Sequence, residues 1–222
     1  MVTLNGIAAS LLLSDINTDT IAPLVRSKQG LQPAGIRSNT ELAQRLFGPW
    51  RYTPDGQENP DFVLNKTPFR QAKFLIAGDN FACGSSRETA ATMLKAFGIQ
   101  CIIAPSFGLI FKDNCFRNHM LPLVLPSKEV EALSLMAMRE EHLSLDLNDC
   151  TLKTESNYSI SFTLPLFRKE MLINGSDEVD TTLNREQLIS QYEASASKLR
   201  PWQLLNDYTF SIQIKTRNHL AA

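Results

Sequence analysis

With 222 residues, 43% of them hydrophobic and 20% charged, the chain has the composition of a globular domain and is long enough to bury a sizeable core. Its 22 basic and 23 acidic residues leave a formal net charge of -1, which provides no basic excess or stripe for nucleic acid. The apolar run at residues 7–13 is too short to span a bilayer and carries neither the basic flank nor the cleavage site of a signal peptide, so no membrane association and a cytoplasmic location are expected.

Residues 4–13 predict a strand that runs into the polar loop Ser-Asp-Ile-Asn-Thr-Asp-Thr at residues 14–20. Asx and Thr side chains in such loops hydrogen-bond local backbone, and they can equally line a site. Residues 24–37 form a segment with Arg26, Lys28, Gly30, Pro33 and Gly35. Ser38 followed by Glu41 is a capping box opening a helix with Leu42, Leu46 and Trp50 on one face, and Gly48-Pro49 is expected to close it. Residues 52–68, rich in Pro, Gly, Asp and Asn, predict a long loop anchored by Phe62, Val63 and Leu64.

Residues 78–88 read Gly-Asp-Asn-Phe-Ala-Cys-Gly-Ser-Ser-Arg-Glu. They follow the apolar run 74–77, a buried strand, and precede Ala90, Met93, Leu94 and Phe97 at helical spacing. The motif therefore sits at a strand-to-helix junction, where unpaired backbone N–H groups and the positive end of the helix dipole favour an anion. Ser85, Ser86 and Arg87 beside those groups make a carboxylate or phosphate site, with Arg87 offering a planar fork for bidentate grip. The alternative reading of Ser85 and Glu88 is a second capping box. That reading leaves Asp79, Asn80, Ser86 and Arg87 unaccounted for.

Gly98 is placed to end this helix, and residues 101–104 predict the next buried strand, giving a parallel strand, helix, strand unit. A short helix at 109–114, a strand at 121–125 and a helix from Ser127 to Met138 follow, the last with Val130, Leu133, Met136 and Ala137 at core spacing. His119, between helix and strand, reads as a structural hydrogen-bonding residue. Residues 143–147 and 158–162 alternate with period two and predict half-exposed antiparallel strands. Pro165 opens a helix to Ile173 that Gly175 closes, and a last amphipathic helix at 184–196 should turn Leu188, Ile189 and Tyr192 inward. The four cysteines, Cys83, Cys101, Cys115 and Cys150, contain no Cys-x-x-Cys pair and read as free thiols, so no metal site is expected in this chain.

The motif at 78–88, together with Ile-Ala-Pro-Ser-Phe at 103–107, Asn114, Leu121-Pro122, Asn-Thr-Asp-Thr-Ile-Ala-Pro at 17–23, Phe167-Arg168 and Asn174-Gly175, resembles the small subunit of 3-isopropylmalate dehydratase. That subunit is similar to the swivel domain of aconitase. The resemblance implies an α/β domain, a mixed sheet flanked by helices, over residues 1–196. Residues 197–222 go beyond the family and are expected to form an extension whose apolar Trp202, Tyr208 and Phe210 pack on a partner. One position departs from the family pattern, which has His-Ala after Arg-Glu where this chain has Thr89-Ala90.

The function implied is a hydro-lyase subunit of leucine biosynthesis, interconverting 2- and 3-isopropylmalate by loss and return of water. By resemblance Ser85 is the base, Asp19 a second catalytic residue, and Thr20, Ser86 and Arg87 bind the hydroxy-dicarboxylate. Arg26 lies in the loop that selects its side group. A large subunit carries the 4Fe-4S cluster. The alternatives are a related dehydratase subunit for another hydroxy acid, or a module that binds carboxylates without catalysis. A self-sufficient serine hydrolase lacks its Gly-x-Ser-x-Gly elbow and a placed histidine.

Overall fold

A computed structural model describes residues 2–23, 38–84, 87–176, 178–183, 185–200 and 202. The chain divides into two compact units, Met1–Asp177 and Glu178–Ala222. The first is built on four parallel strands, β1 (Thr3–Leu11), β2 (Phe74–Ala77), β3 (Cys101–Ala104) and β4 (Leu121–Val124), continued by three antiparallel ones, β5 (His142–Asp146), β6 (Thr151–Thr154) and β7 (Ser159–Ser161). Together they form one seven-stranded mixed sheet in the order β4-β3-β2-β1-β5-β6-β7.

The run Phe-Leu-Ile-Ala of β2 is fully buried because successive side chains point to opposite faces and both faces are covered. Leu75 and Ala77 join Ile102, Ala104, Ala90 and Met93 in one core, whereas Phe74 and Ile76 join Cys101, Ile103, Leu121 and Leu133 in the other. Helices α1 (Thr18–Ile21), α2 (Asn39–Arg45), α3 (Gly48–Arg51) and α4 (Glu88–Phe97) contribute to the first core, as does α5 (Leu109–Arg117) through Phe111 and Cys115. The second core is closed by α6 (Ser127–Ala137), with Val130, Leu133 and Ala137 inward, and by α7 (Leu166–Asn174) through Leu172. Complete burial of a side chain such as Leu75 or Ile76 contributes about 1.5–3 kcal/mol each. Gly98, at φ 118, ends α4 in the left-handed conformation that a residue without Cβ adopts freely.

The sequence-based expectations hold for β1 to β5, β7, α4 and α7, and for the Ser38–Glu41 capping box. Elsewhere the molecule differs. Gly48-Pro49 does not close a helix reaching Trp50; α2 stops at Arg45, Phe47 turns left-handed at φ 49, and Gly48 and Pro49 start the separate helix α3, where proline suits the first turn. Pro126, not Ser127, occupies the cap position of α6, and α5 runs on to Arg117. The strand β6 went unread because Leu152 is the single apolar residue in its four; pairing on both sides with β5 and β7 makes it a strand.

The second unit contains α8 (Glu178–Leu183) and α9 (Glu186–Leu199). Leu188 and Tyr192 of α9 are 65% and 64% exposed and Ile189 is also exposed, so the inward orientation expected for them is not found. An amphipathic pattern selects a helix without supplying the surface that covers its apolar face. The segment 197–222 falls outside the described residues apart from 197–200 and Trp202. Among the described residues no helix is long and apolar enough to cross a membrane.

Candidate active site

The loops that leave β1, β2 and β3 at their carboxyl ends are joined side by side, in the region where open α/β sheets receive ligands. Their backbones extend the parallel order of the strands beyond the sheet, with single bridges pairing Asn17 to Cys83 and Phe81 to Phe107. Between the β1 and β2 loops, Asp15 N–H donates to Asp79 O (2.9 Å), Cys83 N–H to Ile16 O (3.2 Å) and Thr18 N–H to Cys83 O (3.0 Å). Between the β2 and β3 loops, Phe81 N–H donates to Ser106 O (3.1 Å) and Gly108 N–H to Phe81 O (2.9 Å).

Two glycines make this closeness possible. A Cβ on Gly78 would lie 2.5 Å from the carbonyl of Leu13, and one on Gly108 would lie 2.3 Å from the carbonyl oxygen of Ala82. The rings of Phe81 and Phe107 from these loops and Phe111 of α5 pack with centroids 5.6 to 6.3 Å apart, joining the β2 and β3 loops through an apolar cluster.

Asn17 caps α1, its Oδ1 accepting from Thr20 N–H (2.8 Å) and from Thr20 Oγ1 (3.0 Å). The next turn of chain directs Asp19 toward Arg87, the residue that precedes α4, and the Asp19 carboxylate meets Arg87 Nη1 at 2.6 Å. Arg87 Nη1 also donates to Ala22 O in a longer contact of 3.5 Å, and Arg45 Nη2 donates to Pro23 O (3.0 Å). Of the six residues singled out in the sequence, Asp19 and Arg87 are thus brought together, and Thr20, next to Asp19, bonds back to Asn17; Ser85, Ser86 and Arg26 lie outside the described residues. Arg87 is the N-cap of α4, which puts Glu88 at the first helical position and not at the third, where a capping box from Ser85 requires it. Thr89 is exposed in the same first turn, its carbonyl accepting from Thr92 Oγ1 (3.0 Å).

Sequence reasoning missed the roles of Asp15, Asn80 and Ser106. Asn80 Nδ2 donates to Asp15 Oδ1 (2.7 Å), Ser106 Oγ donates to Asp79 Oδ1 (2.5 Å), and Asn80 N–H donates to Ser106 Oγ (2.8 Å). The available signal was an Asp or Ser within four positions after each of three strands.

Two of the four thiols do not suit an iron–sulfur cluster. Cys101 and Cys115 are fully buried in apolar surroundings, and burial pushes both thiols well above the usual range, against the thiolate that a cluster ligand must be. Among the described residues no three His, Cys, Asp or Glu side chains converge as a metal site.

The family model of the aconitase C-terminal domain matches residues 4–128. A relative from Paramagnetospirillum magneticum, named 3-isopropylmalate dehydratase small subunit, is 45% identical over 202 residues that cover 90% of this chain and 97% of the relative. The chain belongs to the 3-isopropylmalate dehydratase small-subunit family. The relative of the same name from Paracoccus denitrificans is 42% identical over the same shares of each chain. A crystal structure of 3-isopropylmalate dehydratase from Methanocaldococcus jannaschii has the same fold, with a TM-score of 0.59 at 23% identity, covering 86% of this chain and 99% of that one. The expected swivel-type α/β architecture is therefore the observed one.

Proposed function

We propose that this chain is the small subunit of a 3-isopropylmalate dehydratase of leucine biosynthesis, acting with a large subunit. The observation that carries the reading is the placement of Arg87, held at the start of α4 by Asp19 at 2.6 Å, on the edge of the sheet where three loops converge. Both of its contacts among the described residues use Nη1, and a guanidinium fork suits a substrate carboxylate. The reaction removes a proton from the carbon beside a carboxylate and expels hydroxide from the neighbouring carbon. Water then returns with the two positions exchanged.

On this reading Ser85 takes the proton, Asp19 assists as the second catalytic residue and keeps Arg87 in place, and Thr20, Ser86 and Arg87 bind the dicarboxylate. Arg26 selects the side group. The positive end of α4 offsets the charge that develops next to the carboxylate. The Lewis acid for the departing hydroxyl, a 4Fe-4S cluster, is assigned to the large subunit, since Cys101 and Cys115 are buried as thiols and the four cysteines contain no Cys-x-x-Cys pair. Residues 1–196 are assigned to the swivel domain and 197–222 to an extension that packs on a partner. The cytoplasm is the expected location.

The test is reconstitution with the large subunit in its iron-loaded form, followed by the rise and fall of the unsaturated intermediate as isopropylmalate isomers interconvert. Turnover is expected from the pair and from neither subunit alone. A fully loaded pair that leaves both isomers untouched would overturn the reading. The exposed Thr89, where the family has histidine, favours a second reading, a related dehydratase subunit for another hydroxy acid or a carboxylate-binding module. Turnover of another hydroxy-dicarboxylate by the pair, or calorimetric binding of dicarboxylates to this chain without turnover in the pair, would select it.

A further inference from the structure

The loop after β2 carries polar contacts that the proposed chemistry leaves without a role. Asn80 and Ala82 both sit in the left-handed region, at φ 53 and φ 57. Backbone conformations of this kind persist in non-glycine residues when the surroundings over-determine them. Here the surroundings come from both neighbouring loops. Asp15, in the loop after β1, accepts from the Asn80 side chain at 2.7 Å. Ser106, in the loop after β3, accepts from the Asn80 backbone N–H at 2.8 Å. The Ser106 hydroxyl uses its own proton on Asp79 Oδ1 at 2.5 Å, so its lone pair is fixed toward Asn80.

A chain of side chains, Asp15 to Asn80 and through its backbone to Ser106 and Asp79, therefore ties three strand ends together. It lies just ahead of Gly84, where the loop leads on toward Arg87. We propose that Asn80 and Ser106 are positioning residues for the dehydratase reaction. They fix the β2 loop at Asp79 and Asn80, ahead of Gly84, without touching substrate. The inference rests on the dehydratase reading of the site. Arg87 has separate tethers in Asp19 and Ala22, so loss of the chain should disturb the reacting geometry more than the grip on the carboxylate.

The experiment uses the reconstituted two-subunit complex with Ser106→Ala, Asn80→Ala and Ser106→Thr. For the first two, kcat is expected to fall at least about tenfold while KM stays within about threefold, the pattern of misplacement without lost binding. Ser106→Thr keeps the hydroxyl and is expected to restore kcat. Far-UV circular dichroism and size exclusion establish folding and assembly of each variant. Should Ser106→Ala not fold, Asp15→Gly removes the acceptor on the other side at an exposed residue whose φ of 57 glycine adopts freely, and the same kcat loss is expected. A kcat loss no larger than the loss of folded complex, or a rise in KM alone, overturns the inference. Amide exchange at Asn80 is read in parallel. If the wild-type complex turns over no isopropylmalate, the dehydratase reading fails by itself, and unchanged exchange at Asn80 in Ser106→Ala then separately sinks the positioning role.

Discussion

Asp19 and Arg87 keep 62% and 29% of their side-chain surface in solvent, so their ion pair is screened and contributes at most about 1 kcal/mol to stability. Its value lies in aiming the guanidinium. Asp19→Asn is therefore expected to melt near the wild-type temperature while losing activity in the reconstituted complex, which calorimetry and a turnover assay read separately. Arg87→Lys keeps the charge but loses the planar fork, and substrate binding should weaken by roughly 1.5–3 kcal/mol, measured as an increase in Kd. The cysteines separate in the same way by environment. Cys101 and Cys115 are fully buried with thiols driven up by desolvation, whereas Cys83 and Cys150 are partly accessible. A thiol-reactive dye at pH 8 should label two cysteines quickly and the other two on denaturation. Rapid labelling of all four in the native protein would contradict that burial.

At the level of elements, the site depends on how closely the loops after β2 and β3 approach. Gly108→Ala would place a methyl 2.3 Å from the Ala82 carbonyl oxygen, a backbone atom that cannot swing aside as a side chain can. The loops must part, at a cost of roughly 1–3 kcal/mol typical of overpacking, and denaturant unfolding with an activity assay should show both stability and turnover reduced. The strands and helices bearing these loops were readable in the sequence because their signal is local. Four consecutive apolar residues mark β2 and β3, and Ala90, Met93 and Leu94 recur on one face of α4. The pairing of Asp19 with Arg87 and the chain from Asp15 to Asp79 were not readable. They join residues of separate loops, and their contact follows from strand order, which short-range periodicity does not encode. For the same reason β6 and α3 escaped notice, the one made a strand by its neighbours and the other a helical turn after the left-handed Phe47.

For the molecule as a whole, β1 divides its pairing along its length. Thr3 to Ile7 face β5 in antiparallel register, and Ala8 to Leu11 face β2 in parallel register. The two partners leave the ribosome at different times, since β2 is complete at Ala77 and β5 begins at His142. During synthesis the second half of β1 can be paired while the first half, with Leu4 and Ile7 among its residues, still presents open N–H and C=O groups. An unpaired strand in a growing chain is a template for wrong partners. Nascent chains arrested before His142 are expected to be cut near their N-terminus by limited proteolysis and to recruit holding chaperones, and chains arrested once β5 has cleared the exit tunnel should do neither. Strand β1 thus waits for a partner made much later, and its first five residues mark when the nascent chain ceases to need protection.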